Sequence, residues 1–190
     1  EAFKDYRLGE ASIKNVELRY YSDASSAQVA FENGEVNFIQ CQPTSASQFI
    51  GNDKYNTAIN MPMYTAVIAM NNTVPPFDNK LVRQAFAYAA DRESIINVYA
   101  SGYATPASFM CSDTNCWGVD YGDSTDSAYN PEKAKELLAE AGYPNGINMA
   151  DFGVELKTFS GHSKIATVYQ QNLADIGVTI AISNTSTPDE

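Results

Sequence analysis

Between Pro75 and Tyr103 apolar residues recur at helical spacing, which predicts two helices in tandem. Leu81, Val82, Ala85, Phe86 and Ala89 share one face of the first, with Asp78 placed to cap it. Asp91 caps a second helix carrying Ile95, Ile96 and Tyr99, and Gly102 stands where a left-handed stop belongs. Asn130 to Pro144 is a third helix by its punctuation: Asn130 caps, Pro131 fills the first turn, Ala134, Leu137, Leu138 and Ala141 form the buried stripe, and Gly142 ends it. Lys164 to Ile176 is a fourth, with Ile165, Val168, Tyr169, Leu173 and Ile176 inward and Gly177 as its stop.

Elsewhere the rhythm is closer to two. Ile13 to Tyr21 sets Ile13, Val16, Leu18 and Tyr20 against polar neighbours in a mostly period-two pattern and predicts a strand. Asp23 then caps a short helix through Ala27, Ala30 and Phe31, Gly34 ends it, and Val36 to Ile39 returns as a strand, giving a strand–helix–strand unit. Tyr55 to Met61 and Thr65 to Met70 read as two more strands, the second apolar enough to be largely buried. Val154 to Thr158 and Val178 to Ile182 flank the fourth helix as a second strand–helix–strand unit. Alternating strands and helices make this an α/β chain.

Pro43, Thr44, Ser45, Ser47 and Gly51 mark residues 41–53 as a connection with one helical turn, dividing residues 1–40 from a second unit at 54–183. The polar run at 184–190 is expected to be disordered. Residues 103–129 form a long loop containing Tyr103, Phe109, Met110 and Trp117, too apolar to be simply solvated.

Composition narrows the chemistry. A net charge of −11 over 190 residues disfavours nucleic acid and anionic membranes, which would repel the chain. No apolar run reaches the roughly 20 residues of a membrane span, and no leader is expected within these residues. Twelve Tyr and nine Phe against one His lean toward binding surface over catalytic groups. Neither a G-x-S-x-G elbow nor a phosphate loop is present, so no enzyme activity and no cofactor are expected. Metal is not expected either: the cysteines lack zinc spacing, and Asp120, Asp123 and Asp126 do not follow the calcium-loop pattern. Cys111 and Cys116 read equally as a small disulfide or as two loop thiols, and Cys41 as a small buried apolar residue.

Taken in order, GEVNFI, AMNNTVPPFDNKLVRQAFAYAADRESII, GYATPAS, YNPEKAKELLAEAGYPNG and LADIGVTIAI resemble the family 5 solute-binding proteins of ABC importers, the dipeptide, oligopeptide and nickel class. The resemblance covers Ile13 to Ser183. It implies a periplasmic-binding-protein-like lobe of type II, with a mixed sheet flanked by helices, taken from the middle of a longer two-lobed protein. Residues 1–40 would end the first lobe, Gln40, Cys41, Gln42 and Pro43 would lie at the crossing, and the rest would be the second lobe. The implied protein is an extracytoplasmic monomer, a cell-surface lipoprotein or periplasmic, that captures short peptides and passes them to a membrane permease. Nickel-chelate or oligosaccharide receptors, and a surface chaperone on the same fold, are the alternatives. The acidic anchor for a peptide amino terminus would lie beyond Glu190.

Ligands of open α/β sheets bind at the carboxyl ends of strands. That rule, with the family's loop after the equivalent strand, makes Phe159, Ser160 and His162 the first ligand-binding candidates. Trp117 and Tyr103 follow as apolar walls, roles to be weighed against simple filling of the core.

Overall fold

The structure, a computed structural model, describes residues 2–41, 43–59, 65–107 and 128–185. Asp23 opens the first helix, α1 (Ala24–Glu32), as its sequence predicts. Its carboxylate accepts the Ser26 N–H and the Ser26 hydroxyl, both at 2.8 Å, and these bonds hold it below the usual carboxylate range. A single turn, α2 (Pro43–Ala46), follows in the connecting segment. Phe31, Phe49 and Tyr55 meet in a ring cluster with centroids 5.0 to 5.6 Å apart, which pins the chain after α2 against α1.

The strands expected on either side of α1 do not form. Among the described residues, 13–21, 36–39, 55–59 and 65–70 form no strand, and Val67 and Ile68 are exposed rather than buried. Alternation prepares a strand; a hydrogen-bonding neighbour makes one, and these segments have none among the described residues. The remainder of the predicted 55–61 strand falls outside the described residues.

The tandem helices are α3 (Lys80–Tyr88) and α4 (Arg92–Ala100). The cap of α3 is Asn79, one residue later than the sequence pattern indicated. Asp78 is instead held in the preceding turn, its N–H on the Val74 carbonyl, while Arg83 Nη1 takes the carbonyls of Phe77 at 2.6 Å and Asp78 at 3.1 Å. Each of the last four α3 carbonyls, which a helix cannot satisfy internally, has a donor. Ala89 and Ala90 N–H serve Ala85 and Ala87, the Tyr169 hydroxyl serves Phe86, and the Asn130 N–H serves Tyr88. Asp91 caps α4 through Ser94, and the helix stops at Ser101 and Gly102, both left-handed.

Asn130 caps α5 (Pro131–Glu140), whose Ala134, Leu137 and Leu138 are buried. Next come β1 (Ile147–Asn148), a 3-10 turn at Met149–Phe152, β2 (Glu155–Phe159), a second 3-10 turn at Ser160–His162, α6 (Ser163–Asp175), β3 (Val178–Thr179) and β4 (Ala181–Thr185). Buried on α6 are Ala166, Tyr169, Asn172 and Leu173; the expected inward residues Ile165 and Val168 are half-buried.

The second strand–helix–strand unit is present with one refinement. Val178 to Ile182 was expected as one strand, yet it divides: β3 pairs with β1 and β4 with β2, both ladders parallel. Ile180, between them, gives its carbonyl to the Gln170 amide at 2.6 Å. The β1–β3 pair also brings Gly146 against Gly177 so closely that a Cβ on Gly146, which sits at φ +88°, would overlap the Gly177 carbonyl. Asn184 and Thr185, expected in a disordered tail, are the last residues of β4.

Phe77, Val82, Phe86, Leu138, Met149, Leu173 and Val178 build the core where α3, α5, α6 and β1–β3 meet. At about 1.5–3 kcal/mol per fully buried large side chain, this cluster is the chief source of stability.

Candidate ligand site

The register Glu155↔Ala181 through Phe159↔Thr185 places Phe159 and Thr185 together at the carboxyl ends of two parallel strands. The chain turns there at once into α6, through Ser160–His162. Gly161 allows that turn to be tight: a Cβ on it would stand 3.2 Å from the Phe159 ring. The turn folds His162 back on Phe159, with ring centroids 4.3 Å apart in an edge-on arrangement. The Tyr99 ring of α4 stands 5.7 Å from the imidazole, tilted against it. All three rings are half-buried.

Polar groups adjoin Phe159 and His162 along the chain and across the ladder. The Ser163 hydroxyl bonds the Asn184 side chain at 3.0 Å, joining the start of α6 to the end of β4, and Thr185 Oγ1 donates to the Thr158 carbonyl at 3.3 Å. Such a surface offers aromatic faces and edges to an apolar or planar group and hydroxyl and amide groups to polar atoms beside it. Among the described residues no cluster of three or more His, Cys, Asp or Glu could hold a metal ion. The Lys14–Glu10, Arg19–Glu17 and Lys133–Glu136 salt bridges involve none of these residues.

The sequence candidates divide accordingly. Phe159 and His162 are brought together; Ser160 opens the intervening turn, and its side chain lies outside what is described. Tyr103 is half-buried and, among the described residues, its ring joins none of these contacts. Trp117, Cys111 and Cys116 fall outside the described residues. At the proposed crossing Gln40 is exposed and Cys41 is a half-buried free thiol, both in irregular chain; Pro43 begins α2, and Gln42 is outside the described residues.

Tyr99 is the ring that sequence reasoning assigned only to a helix face. It stands four residues before Tyr103, a spacing that would stack the two had α4 continued. The left-handed Ser101 turns the chain away and separates them. A shallow hollow of about 350 Å³ lies elsewhere, at α1, lined by Tyr21, Ser25, Ser26, Val29, Ala30 and Glu35.

Known proteins resemble this chain in sequence and fold. The chain is 34% identical over 188 residues to the glutathione-binding protein GsiB of Pectobacterium atrosepticum, an alignment covering 96% of this chain and 35% of that protein. Its fold matches HbpA2 of Haemophilus parasuis with TM-score 0.70 and 26% identity, over 97% of this chain and 37% of that one. It also matches the oligopeptide-binding protein AppA of Bacillus subtilis, solved with a nonapeptide, at TM-score 0.69 and 25% identity, over 97% and 39%. The chain therefore spans about a third of the length of these relatives, and its fold is the α/β, type II periplasmic-binding-protein fold. Residues 1–189 match the description bacterial extracellular solute-binding proteins, family 5 middle, and the chain belongs to that family.

Proposed function

We propose that this chain is part of the solute receptor of an ABC importer, a non-catalytic binding protein that takes short peptides, glutathione-like peptides among them. The receptor works outside the cytoplasm, as a periplasmic protein or a surface lipoprotein, and hands its ligand to a membrane permease. Residues 1–40 end one lobe, 41–53 cross, and 54 onward belong to the second, which closes on the ligand by hinge motion.

One observation carries this reading: a half-buried aromatic trio with adjoining polar groups sits at the carboxyl ends of parallel strands, where α/β folds hold ligands. The relatives' own ligands, glutathione and a nonapeptide, supply the class. Peptide backbones are met by hydrogen bonds and their side chains by pockets, and the polar groups and rings offer both.

The test is thermal unfolding of a family-length protein carrying this sequence, and of the 190-residue chain, with glutathione, di- to pentapeptides, nickel with histidine, and short oligosaccharides. A ligand at a hundred times its Kd adds about 2.7 kcal/mol to native stability. Peptides should raise the melting temperature of the longer protein and leave the 190-residue chain unmoved, since one lobe offers one wall of the cleft. His162→Ala should weaken that binding at least ~10-fold, about 1.4 kcal/mol. Stabilisation only by sugars or nickel–histidine would overturn the peptide class, and no shift with any solute would overturn the receptor reading.

A further inference from the structure

Two Asn-Gly pairs occur in the sequence, Asn33–Gly34 and Asn145–Gly146. A glycine carries no side chain to hinder its backbone nitrogen, which can therefore reach the amide carbon of the asparagine before it. Both pairs hold the chemistry of spontaneous deamidation, and the fold treats them differently. Asn33 is the exposed C-cap of α1, with Gly34 after it at φ +78° and nothing within 4 Å of where a Gly34 Cβ would stand. The turn is closed by the Gly34 N–H on the Phe31 carbonyl at 3.0 Å and the Glu35 N–H on the Ala30 carbonyl at 2.8 Å, at the end of a helix whose buried residue is Ala30. Freeing the Gly34 nitrogen needs only that last turn to fray.

Asn145 is also exposed, but the residues after it are locked. The Gly146 N–H bonds the Tyr143 carbonyl at 3.1 Å, a Cβ on Gly146 would overlap the Gly177 carbonyl, and Ile147 is buried with its N–H on that same carbonyl at 3.0 Å. Room for a new ring there requires the β1–β3 pair to open, and the core with it.

We propose that Asn33 is a deamidation site, that the fold protects Asn145, and that the carboxylate formed at position 33 loosens the end of α1. The Gly34 nitrogen bonds to Asn33 Cγ and gives up its proton to water. Ammonia leaves as the Cγ–Nδ2 bond breaks, and a cyclic imide remains. Water then opens either imide carbonyl, to an aspartate or to an isoaspartate whose main chain runs through the side chain. The Asn33 amide now donates to Glu35 Oε1 at 3.4 Å; a carboxylate in its place faces that carboxylate, beside Glu32, at the negative end of a helix with no basic residue in its last turn.

The test is ageing of a family-length protein carrying this sequence in mildly alkaline buffer, with mass mapping of both pairs and enzymatic methylation to count isoaspartate. Conversion at Asn33 should run ~10-fold or more faster than at Asn145, since fraying of a helix end is more frequent than opening of a packed ladder. Denaturant should bring the two rates together, and Asn33→Gln should abolish the fast phase. Asn33→Asp should speed hydrogen exchange of the Glu35 N–H and leave that of Ile147 unchanged. Equal rates in the native protein, a faster Asn145, an Asn33 that reacts only once the protein is unfolded, or a Glu35 N–H indifferent to Asn33→Asp would overturn the proposal.

Discussion

Replacing Tyr169 by Phe removes a single oxygen atom, and the structure says what it does. The hydroxyl is buried on α6 and donates to the Phe86 carbonyl at 2.9 Å, one of the four terminal carbonyls that α3 cannot satisfy itself. Phe in its place leaves that carbonyl unpaired in the core, which costs about 1–3 kcal/mol. The same burial gives the difference a pH dependence of known sign. Exclusion of water pushes the Tyr169 pKa well above its ordinary value, with Arg92 opposing the shift, so the folded state keeps a proton that the unfolded chain releases.

Stability from this group is complete below the unfolded tyrosine pKa, about 10, and is lost as pH rises above it toward the higher folded value. By pH 11 the unfolded chain gains about RT ln 11, roughly 1.4 kcal/mol, from ionising this one residue. Urea unfolding of both proteins at pH 8 and pH 11 measures the gap. The other tyrosines titrate alike in both and cancel in the difference. The Tyr169→Phe deficit should therefore shrink by about 1.4 kcal/mol between the two pH values. A deficit that stays constant, or a Phe variant as stable as the parent at pH 8, would refute both the bond and the burial.

Two further substitutions test the frame that carries the site. Gly146→Ala should lower the urea midpoint by an amount equivalent to about 3 kcal/mol or more, because the added methyl meets the Gly177 backbone and the positive φ is strained as well. Leu173→Ala, at a fully buried position, should cost about 2–5 kcal/mol with an unchanged dependence on denaturant concentration, the signature of a cavity in an otherwise native fold.

Helices were legible because their signals are local. Asp23, Asp91 and Asn130 each cap the helix that their position announces, and Gly34, Gly102 and Gly177 sit at the positive φ that a helix stop uses. The one slip, Asn79 in place of Asp78, arose from a contact that spacing does not encode: Arg83 reaches back to two carbonyls and holds Asp78 in the preceding turn. Strands were less legible because their identity lies in a neighbour. Ile13 to Tyr21 has the alternation of a strand and no ladder partner among the described residues; Val178 to Ile182 has partners enough for two ladders and splits at Ile180. Alternation states which face is apolar and is silent on what pairs with the edge.

The same distinction governs the candidate site. Phe159 and His162 could be placed together from the strand-end rule, since a short turn separates them. Tyr99 could not, because it arrives from another helix through packing. What delivers it is the docking of the α3–α4 junction on α6: Tyr169 takes the Phe86 carbonyl, and three residues further along, on the same face, Asn172 Oδ1 accepts the Asp91 N–H at 3.2 Å. Those two bonds fix where α4 starts against α6 and so help to set how far the Tyr99 ring stands from His162. The aromatic trio is therefore coupled to the core, and removing the Tyr169 hydroxyl should loosen the site as well as the fold. In a family-length protein, Tyr169→Phe should weaken ligand binding although the residue is buried away from solvent; a variant that loses stability with unchanged affinity would mean that Tyr99 is held by other contacts.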